Sequence, residues 1–198
     1  MLRALGLASI LAGCAGLAGC IDVDESHRVL ISDSATTVTD MAASEVYADL
    51  FNFPAATHLS GTPEAFTVSG AVTNPWDSSS GTFTGSGSKI GDRLDLHLDI
   101  TVTNWDDELW QTQLTGTVTF DQHATYGEHD LPPGTADAQI SAHLHMTESF
   151  DGTHDVKILS CHRWKNDNPL YGYHGVVDGD PVSDHYEGND PVCNVTAP

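Results

Sequence analysis

Two histidines separated by one residue, His143 and His145 in the segment AHLHM, form the pattern most suited to metal chemistry. On a β-strand, side chains at positions i and i+2 project from the same face. Two imidazoles in that arrangement suit zinc or copper. The sequence therefore suggests a divalent-cation site at His143 and His145, and the alternative is a solvated polar face that carries a few histidines.

A second polar stripe, Asp95, His97 and Asp99, lies on the segment RLDLHLDITVT. One intervening strand would hold it about 9 to 10 Å from His143 and His145, because neighbouring strands are about 4.8 Å apart. That separation is too large for a common ion unless the sheet curls sharply toward its polar side. The two stripes are therefore not expected to share a metal.

Motifs for other kinds of catalysis are missing or misplaced. Ser86-Gly87-Ser88-Lys89 matches the S-x-x-K pattern of penicillin-binding enzymes, but there the motif opens a helix and accompanies S-D-N and K-T-G motifs, which this sequence lacks. G-x-S-x-G, H-E-x-x-H and phosphate-binding glycine loops are also absent. We therefore expect a protein that is not an enzyme and that holds no cofactor.

The first twenty residues, MLRALGLASILAGCAGLAGC, have the layout of an export signal. Arg3 supplies a positive charge, an apolar run extends from Ala4 to Leu17, and small residues follow. The run is shorter than the roughly 20 residues that a membrane-spanning helix needs, and its glycines weaken a helix. Residues 1–19 are therefore interpreted as a cleaved signal peptide.

The end of this signal, Leu17-Ala18-Gly19-Cys20, resembles the lipobox of bacterial lipoproteins. The resemblance covers only residues 1–20, and it implies cleavage before Cys20 and acylation of that cysteine and of the new amino terminus. Leu11-Ala12-Gly13-Cys14 fits the same pattern but would make an unusually short signal, and an ordinary secretory signal is the remaining alternative.

Several acyl chains anchor a protein to a lipid bilayer without a spanning helix. Ile21 follows Cys20, and it is not the aspartate that tends to hold such lipoproteins at the inner membrane. The resemblance thus implies an outer-membrane lipoprotein of the bacterial cell envelope, with its domain facing either the periplasm or the cell surface.

Cys161 and Cys193 are the remaining pair of cysteines. In an exported chain the oxidising compartment makes a disulfide the default state for such a pair. The enclosed segment is rich in Gly, Pro, Asn and Asp and poor in apolar periodicity. A Cys161–Cys193 disulfide is therefore predicted to close a loop region that little core could hold.

Charge excludes one class of partner. The chain has 28 acidic and 7 basic residues, a net charge of −21, and such a field repels nucleic acid. Calcium binding in the aspartate-rich turns is a hypothesis, although DGDPVSD at 178–184 lacks the ligand spacing of an EF-hand loop. The alternative is a self-repelling, soluble surface.

Two kinds of segment follow the signal. Residues 20–38 are polar and mixed, which predicts an acylated N-terminus followed by a tether. A short amphipathic helix is then expected, capped by Asp40 and ended by Pro54. Its apolar stripe consists of Met41, Ala43, Val46, Tyr47, Leu50 and Phe51.

After Pro54 the hydrophobic period changes to two, with turn signals between six or more segments. This pattern predicts a single β-rich domain over residues 39–198, built as an antiparallel meander with a curved or barrel-like sheet. Even-numbered residues of the segments 93–104 and 110–120 supply its apolar face.

Turn lengths suggest a register. A two-residue turn at Gly91-Asp92 pairs Gly85 with Leu98 and Gly87 with Leu96, whereas a three-residue loop at Asp106-Asp107-Glu108 pairs Leu98 with Gly116. Glycine in a strand often marks a bend or a close approach. Gly85, Gly87, Leu98 and Gly116 are thus predicted to form a trough that holds either the helix or a ligand.

Three hypotheses for function follow. The leading one is a non-catalytic envelope lipoprotein that acts as a structural or interaction module, with an envelope protein as its partner. The second is a carrier, loosely like lipocalins, whose curved sheet holds a hydrophobic ligand. The third is a metal-binding protein that uses His143 and His145.

Overall fold

The computed structural model describes residues 23–51, 56–74, 79–107, 112–126, 133–148, 150–165 and 168–186. In these residues one helix, α1 (Val23–Phe51), precedes nine strands. The strands are β1 (Leu59–Thr62), β2 (Ala65–Thr73), β3 (Ser80–Ile90), β4 (Arg93–Asp107), β5 (Thr112–Tyr126), β6 (Pro133–Glu148), β7 (Gly152–Lys165), β8 (Asn168–Val177) and β9 (Asp180–Tyr186). They form one antiparallel sheet in the order of the sequence, which confirms the predicted β-meander.

The sheet curls around α1. Arg28 Nε donates a hydrogen bond to the Pro181 carbonyl on β9 at 3.0 Å, and Ser34 Oγ donates one to Asp107 Oδ2 on β4 at 2.9 Å. The six-residue interval between Arg28 and Ser34 spans about 9 Å of helix, whereas β4 and β9 would lie about 24 Å apart in a flat sheet. The predicted curvature is therefore confirmed, and among the described strands β1 and β9 remain open edges.

The helix is much longer than predicted. It begins at Val23, so the prediction of a tether is wrong for residues 23–38, and Asp40 lies in the middle of the helix rather than at its start. Ile31, Ala35 and Val38 form a buried stripe, but small and hydroxyl-bearing residues between them make this part of the sequence look polar.

Two threonine hydroxyls near the middle of α1 donate hydrogen bonds within the helix. Thr36 Oγ1 donates to the Ser32 carbonyl, and Thr37 Oγ1 donates to the Asp33 carbonyl, each at 2.9 Å. Such bonds to the carbonyl of the preceding turn satisfy the hydroxyl of a threonine inside a helix. Small side chains at the buried positions also let the helix approach the sheet closely.

Side chains along each strand point alternately to the two faces of the sheet. The concave face is turned toward α1, and the convex face is turned toward solvent. On β4 from Leu94 to Val102, and on β5 up to Ala124 except for the half-buried Gly116, the even-numbered residues are buried, as predicted. Beyond Val102 the buried positions of β4 are odd-numbered, Trp105 and Asp107. The turn at Gly91-Asp92 and the pairs Gly85–Leu98 and Gly87–Leu96 are also confirmed.

The predicted register between β4 and β5 is wrong by four residues. Leu98 pairs with Phe120, and Gly116 pairs with Val102. The error arises because β4 continues to Asp107, β5 begins only at Thr112, and the register shifts between Val102 and Trp105. A shift of four leaves the apolar face unchanged, since residues alternate with a period of two.

Glycines on the concave face permit close backbone contacts instead of forming a trough. A Cβ at Gly85 would overlap the His97 carbonyl oxygen, and one at Gly116 would overlap the His143 carbonyl oxygen. Gly116 lies beside Val102 rather than Leu98, so the predicted trough does not assemble. Of the two alternatives for this face, the helix or a ligand, it is the helix α1 that covers it.

The region after Cys161 contains two strands that the sequence analysis did not predict. β8 and β9 are joined at Asp178-Gly179, where both residues have positive φ, 54° and 89°. That geometry is typical of the tight two-residue turn of a β-hairpin. Tyr173, Val177 and Val182 then contribute to the core.

Candidate functional site

A cavity of about 580 Å³ lies between α1 and strands β5 to β8. We call it the inner cavity. Its sheet wall includes Phe120 on β5 and Ala136, Ala138 and Ile140 on β6. The opposite wall is a single face of α1 with residues at helical spacing: Asp33, Thr36, Thr37, Asp40, Ala43 and Tyr47.

Side-chain size explains why the cavity is in this half of the concave face. β4 presents Leu94, Leu96, Leu98 and Ile100 to the core, whereas β6 presents alanine at 136, 138 and 142. An alanine side chain has three heavy atoms fewer than a leucine side chain. Space therefore remains between α1 and β6, whereas the leucines of β4 fill the space between α1 and β4. The inner cavity is therefore encoded by small inward-facing residues.

Two tyrosines on the cavity wall are hydrogen-bonded. Tyr173 on β8 donates from its hydroxyl to Asp33 Oδ1 at 3.0 Å, and Tyr47 on α1 donates to Gln122 Oε1 on β5. Both bonds cross from the helix to the sheet. They fix the walls of the cavity and satisfy the Asp33 carboxyl.

Asp40 is the unusual group of the inner cavity. Its side chain is accessible to water, because it faces the cavity, yet enough protein surrounds the carboxyl that desolvation raises its pKa to about 6. Within the part of the chain that the structure describes, no hydrogen bond or ion pair joins it to another residue. At neutral pH the Asp40 carboxyl is mainly charged, because a group with a pKa near 6 is mainly ionised at pH 7.

An aromatic pair lies beside this carboxyl. Tyr171 on β8 and His162 on β7 are cross-strand partners, and their rings stack with centroids 4.4 Å apart and planes 6° from parallel. Burial, and secondly the negative charge of Asp40, raise the pKa of Tyr171. The Asp40 carboxylate therefore makes ionisation of the Tyr171 phenol less favourable.

The predicted metal ligands His143 and His145 lie on the convex face and turn to different partners. His143 Nδ1 lies 2.7 Å from Asp155 Oδ1, and His145 Nδ1 lies 3.4 Å from Thr153 Oγ1. Among the described residues, no group of three or more His, Cys, Asp or Glu side chains is arranged to hold a metal ion. The arrangement fits the alternative of a polar, solvated face.

Other convex-face histidines also pair with carboxylates across strands. His97 Nδ1 lies 2.6 Å from Asp121 Oδ1, and His123 Nδ1 lies 2.6 Å from Asp95 Oδ1. The hydrogen bond with Asp121 raises the pKa of His97, and its partial burial opposes this effect. In a chain with 7 Lys and Arg residues, histidine thus supplies much of the cross-strand hydrogen bonding to carboxylates.

Of the predicted trough residues, only Gly87 lines an open depression. This depression, of about 640 Å³, lies near the β3–β4 turn and also includes Phe66, Leu96 and His97. Gly85, Leu98 and Gly116 line neither this depression nor the inner cavity. The four residues of the predicted trough therefore do not line one common space.

The predictions about the cysteines concern residues that are mostly outside the described ranges. Cys20 and Cys193 both lie outside them. Cys161 is on β7, where its odd number places it on the convex face, and it is only 1% exposed. The lipid anchor and the Cys161–Cys193 disulfide remain predictions. No helix in the described residues is both long enough and apolar enough to cross a membrane.

Sequence reasoning missed the residues that build the inner cavity. Alternating alanines in the segment ADAQISA signalled small inward-facing residues, and the alternation of Tyr171 and Tyr173 signalled a strand. Asp40 was interpreted as a helix cap because the helix was started too late. Its true position, 17 residues after Val23, makes it a mid-helix carboxylate on a face that includes Ala43.

No protein-family model, curated protein sequence or solved structure matches this chain.

Proposed function

We propose that this protein binds a small amphipathic molecule in the inner cavity and carries or presents it at the bacterial cell envelope. The observation that supports this proposal is the cavity itself, about 580 Å³ between α1 and β5 to β8. Its size lies within the range of about 300 to 1,000 Å³ that is common for small-molecule sites. A purely structural module has no need for such a space.

The composition of the cavity supports an amphipathic ligand. Phe120, Ile140 and the alanines of β6 supply an apolar surface. Polar side chains, among them Asp40 on α1 and Ser160 on β7, face this apolar surface. Binding sites for small molecules typically combine an apolar lining with a few polar groups that orient the ligand.

We also propose that Cys20 is acylated and anchors the protein in the outer membrane. α1 begins three residues after Cys20, and three residues of extended chain span about 10 Å. The start of the helix would therefore be held at the membrane surface. Close to it lie the β6–β7 and β8–β9 turns, because His27 packs on Phe150 with ring centroids 5.4 Å apart and Arg28 bonds Pro181.

The inner cavity lies toward the other end of the sheet. Gln122, Ala136, His162 and Tyr171 are all near the strand ends that the β5–β6 and β7–β8 connections join. An anchor at Cys20 would thus hold the cavity away from the bilayer. This orientation suits exchange of a ligand with a soluble phase or with a second protein.

Native mass spectrometry of the protein extracted from its own membrane tests ligand binding. We expect a stoichiometric small-molecule adduct in addition to the acyl chains. Ala138→Trp, which fills the cavity, should remove the adduct. Gln139→Trp adds the same side chain to the convex face and should retain it. Absence of an adduct from the native protein, or its persistence in Ala138→Trp, would contradict the proposal.

The anchor has a separate test. Cys20→Ser should release the protein from the membrane fraction, whereas Cys14→Ser should leave it anchored. Acyl chains on the Cys20→Ser protein would show that another residue carries the anchor.

A further inference from the structure

We infer that the ligand of the inner cavity is an organic cation, an ammonium group on an apolar body, and that Asp40 binds the ammonium. The inference rests on the proposed binding function and specifies its ligand class. It follows from the charges, the free hydrogen-bonding capacity and the aromatic groups of the cavity wall.

The charge of the cavity wall is negative. Asp33 and Asp40 lie seven residues apart on the same face of α1, about 10 Å along the helix. The described residues that line the cavity include no lysine and no arginine. An anionic ligand would therefore meet like charge without a compensating cation, and the net charge of −21 on the whole chain adds to this repulsion.

The two carboxyls have different roles. Asp33 accepts the hydrogen bond from Tyr173, which gives it a structural task. Asp40 has no hydrogen bond or ion pair with any residue in the described ranges. Protein around the Asp40 carboxylate removes part of its water, and the side chain stays accessible from the cavity to a charged partner. A bound ammonium group supplies that partner.

The aromatic groups add a second interaction for a cation. Tyr171, stacked on His162, lines the same cavity as Asp40, and burial and then the charge of the carboxylate raise the pKa of its phenol. Ammonium groups bind both to carboxylates and to the faces of aromatic rings. The alkyl or aryl body of the ligand would then lie against Phe120, Ala138 and Ile140.

The test compares three probes with the same phenylethyl body: 2-phenylethylammonium, 2-phenylethanol and 3-phenylpropanoate. They are titrated calorimetrically into the acylated protein in lipid nanodiscs, and empty nanodiscs provide the blank. We expect the ammonium to bind at least tenfold more tightly than the alcohol and the carboxylate to bind most weakly. Equal affinities of ammonium and alcohol, both abolished by Ala138→Trp, would overturn the cation inference and leave the binding function standing.

Failure of the binding function has a different signature. If none of the probes binds, or if Ala138→Trp leaves all affinities unchanged, the inner cavity is not the site. The two proposals are thus separated by the same titrations.

Asp40→Asn isolates the carboxylate. It should weaken 2-phenylethylammonium binding at least tenfold and leave 2-phenylethanol binding unchanged. Asp92→Asn, which removes the same charge from an exposed turn, should affect neither probe. Equal losses in the two variants would mean that only the overall charge matters, and this result would overturn the role of Asp40.

Stability measurements check that Asp40→Asn remains folded. Since burial raises the pKa of Asp40 to about 6, the native protein loses stability as the pH rises from the unfolded value near 4 to about 6. The variant lacks this loss and should be more stable than the native protein above pH 6. A variant that is less stable there would show that the carboxylate has a structural partner.

Discussion

The concave and convex faces of the sheet differ although they are built from the same strands. On β4 the concave face carries Leu94, Leu96, Leu98, Ile100 and Val102, and the convex face carries Arg93, Asp95, His97, Asp99 and Thr101. Side chains on the first face are buried against α1 or against one another. Those on the second remain in contact with water and meet across strands as His–Asp pairs.

Because of this difference, the two faces should contribute differently to stability and to its pH dependence. Burial of an aliphatic side chain contributes about 1.5 to 3 kcal/mol, whereas an exposed ion pair contributes about 0.2 to 1 kcal/mol. The concave face should therefore determine whether the chain folds, and the convex face should adjust stability with pH. Neighbouring residues on one strand give matched tests, since consecutive side chains point to opposite faces.

The largest effect is expected at Leu98. This residue is fully buried on the concave face of β4, and Leu98→Ala should lower the free energy of unfolding by about 2 to 5 kcal/mol. Asp99→Ala changes the next residue, which lies on the convex face, and should cost at most about 1 kcal/mol. Urea unfolding measures both values. Equal losses would mean that the two faces do not differ as described.

Gly116 and Thr117 give the next comparison. A Cβ at Gly116 would overlap the His143 carbonyl oxygen, so Gly116→Val should cost about 3 kcal/mol, at the upper end of overpacking effects. Thr117→Val replaces one β-branched residue with another on the convex face and should change stability by less than about 0.5 kcal/mol. Small effects at both positions in urea titrations would contradict the close pairing of β5 with β6.

Much of the concave face could be predicted from sequence because its residues alternate with a period of two. The even-numbered aliphatic residues of β4 identified the face even though the β4–β5 register was wrong by four. That register depends on the length of the connection and on the irregularity between Val102 and Trp105. The irregularity moves the buried positions of β4 from even to odd numbers, at Trp105 and Asp107, but the alternation of the aliphatic residues up to Val102 carries no information about it.

The helix and the inner cavity were harder to predict for the same physical reason. Both depend on small residues, such as Ala35 on α1 and Ala138 on β6, which carry a weak hydrophobic signal when read alone. The start of the helix was missed, so Asp40 was assigned to a cap. The β8–β9 hairpin was missed although Asp178-Gly179 is a strong turn signal, because glycines interrupt the apolar residues around it.

Ala138 tests whether the inner cavity has room. Ala138→Leu places additional atoms in open space, so the free energy of unfolding should change by less than about 1 kcal/mol, in contrast with the overpacking cost of a filled core. Ligand binding should nevertheless be lost. Gln139→Leu, on the convex face, should keep both stability and binding. Strong destabilisation by Ala138→Leu alone would show that this part of the core is already filled.

The smallest effect concerns His97 on the convex face. Because the Asp121 hydrogen bond raises the pKa of His97 in the folded state, the pair stabilises the protein fully below the unfolded pKa of about 6.5. The contribution is lost as the pH rises through the raised folded value. His97→Gln should therefore lower stability by about 0.2 to 1 kcal/mol at pH 5.5 and by much less at pH 8.5.

His145→Gln is the control for this pH dependence, since the nearest partner of His145 is Thr153 rather than a carboxylate. His145→Gln therefore removes a convex-face histidine without removing a hydrogen bond to a carboxylate, and its unfolding at pH 5.5 and 8.5 is the baseline for His97→Gln. Asp121→Asn should reproduce the pH dependence of His97→Gln, and the double variant should lose no more than either single change, because the pair is removed only once. If the two histidine variants show the same pH profile, the His–Asp pairs do not adjust stability, and the convex face contributes only solubility.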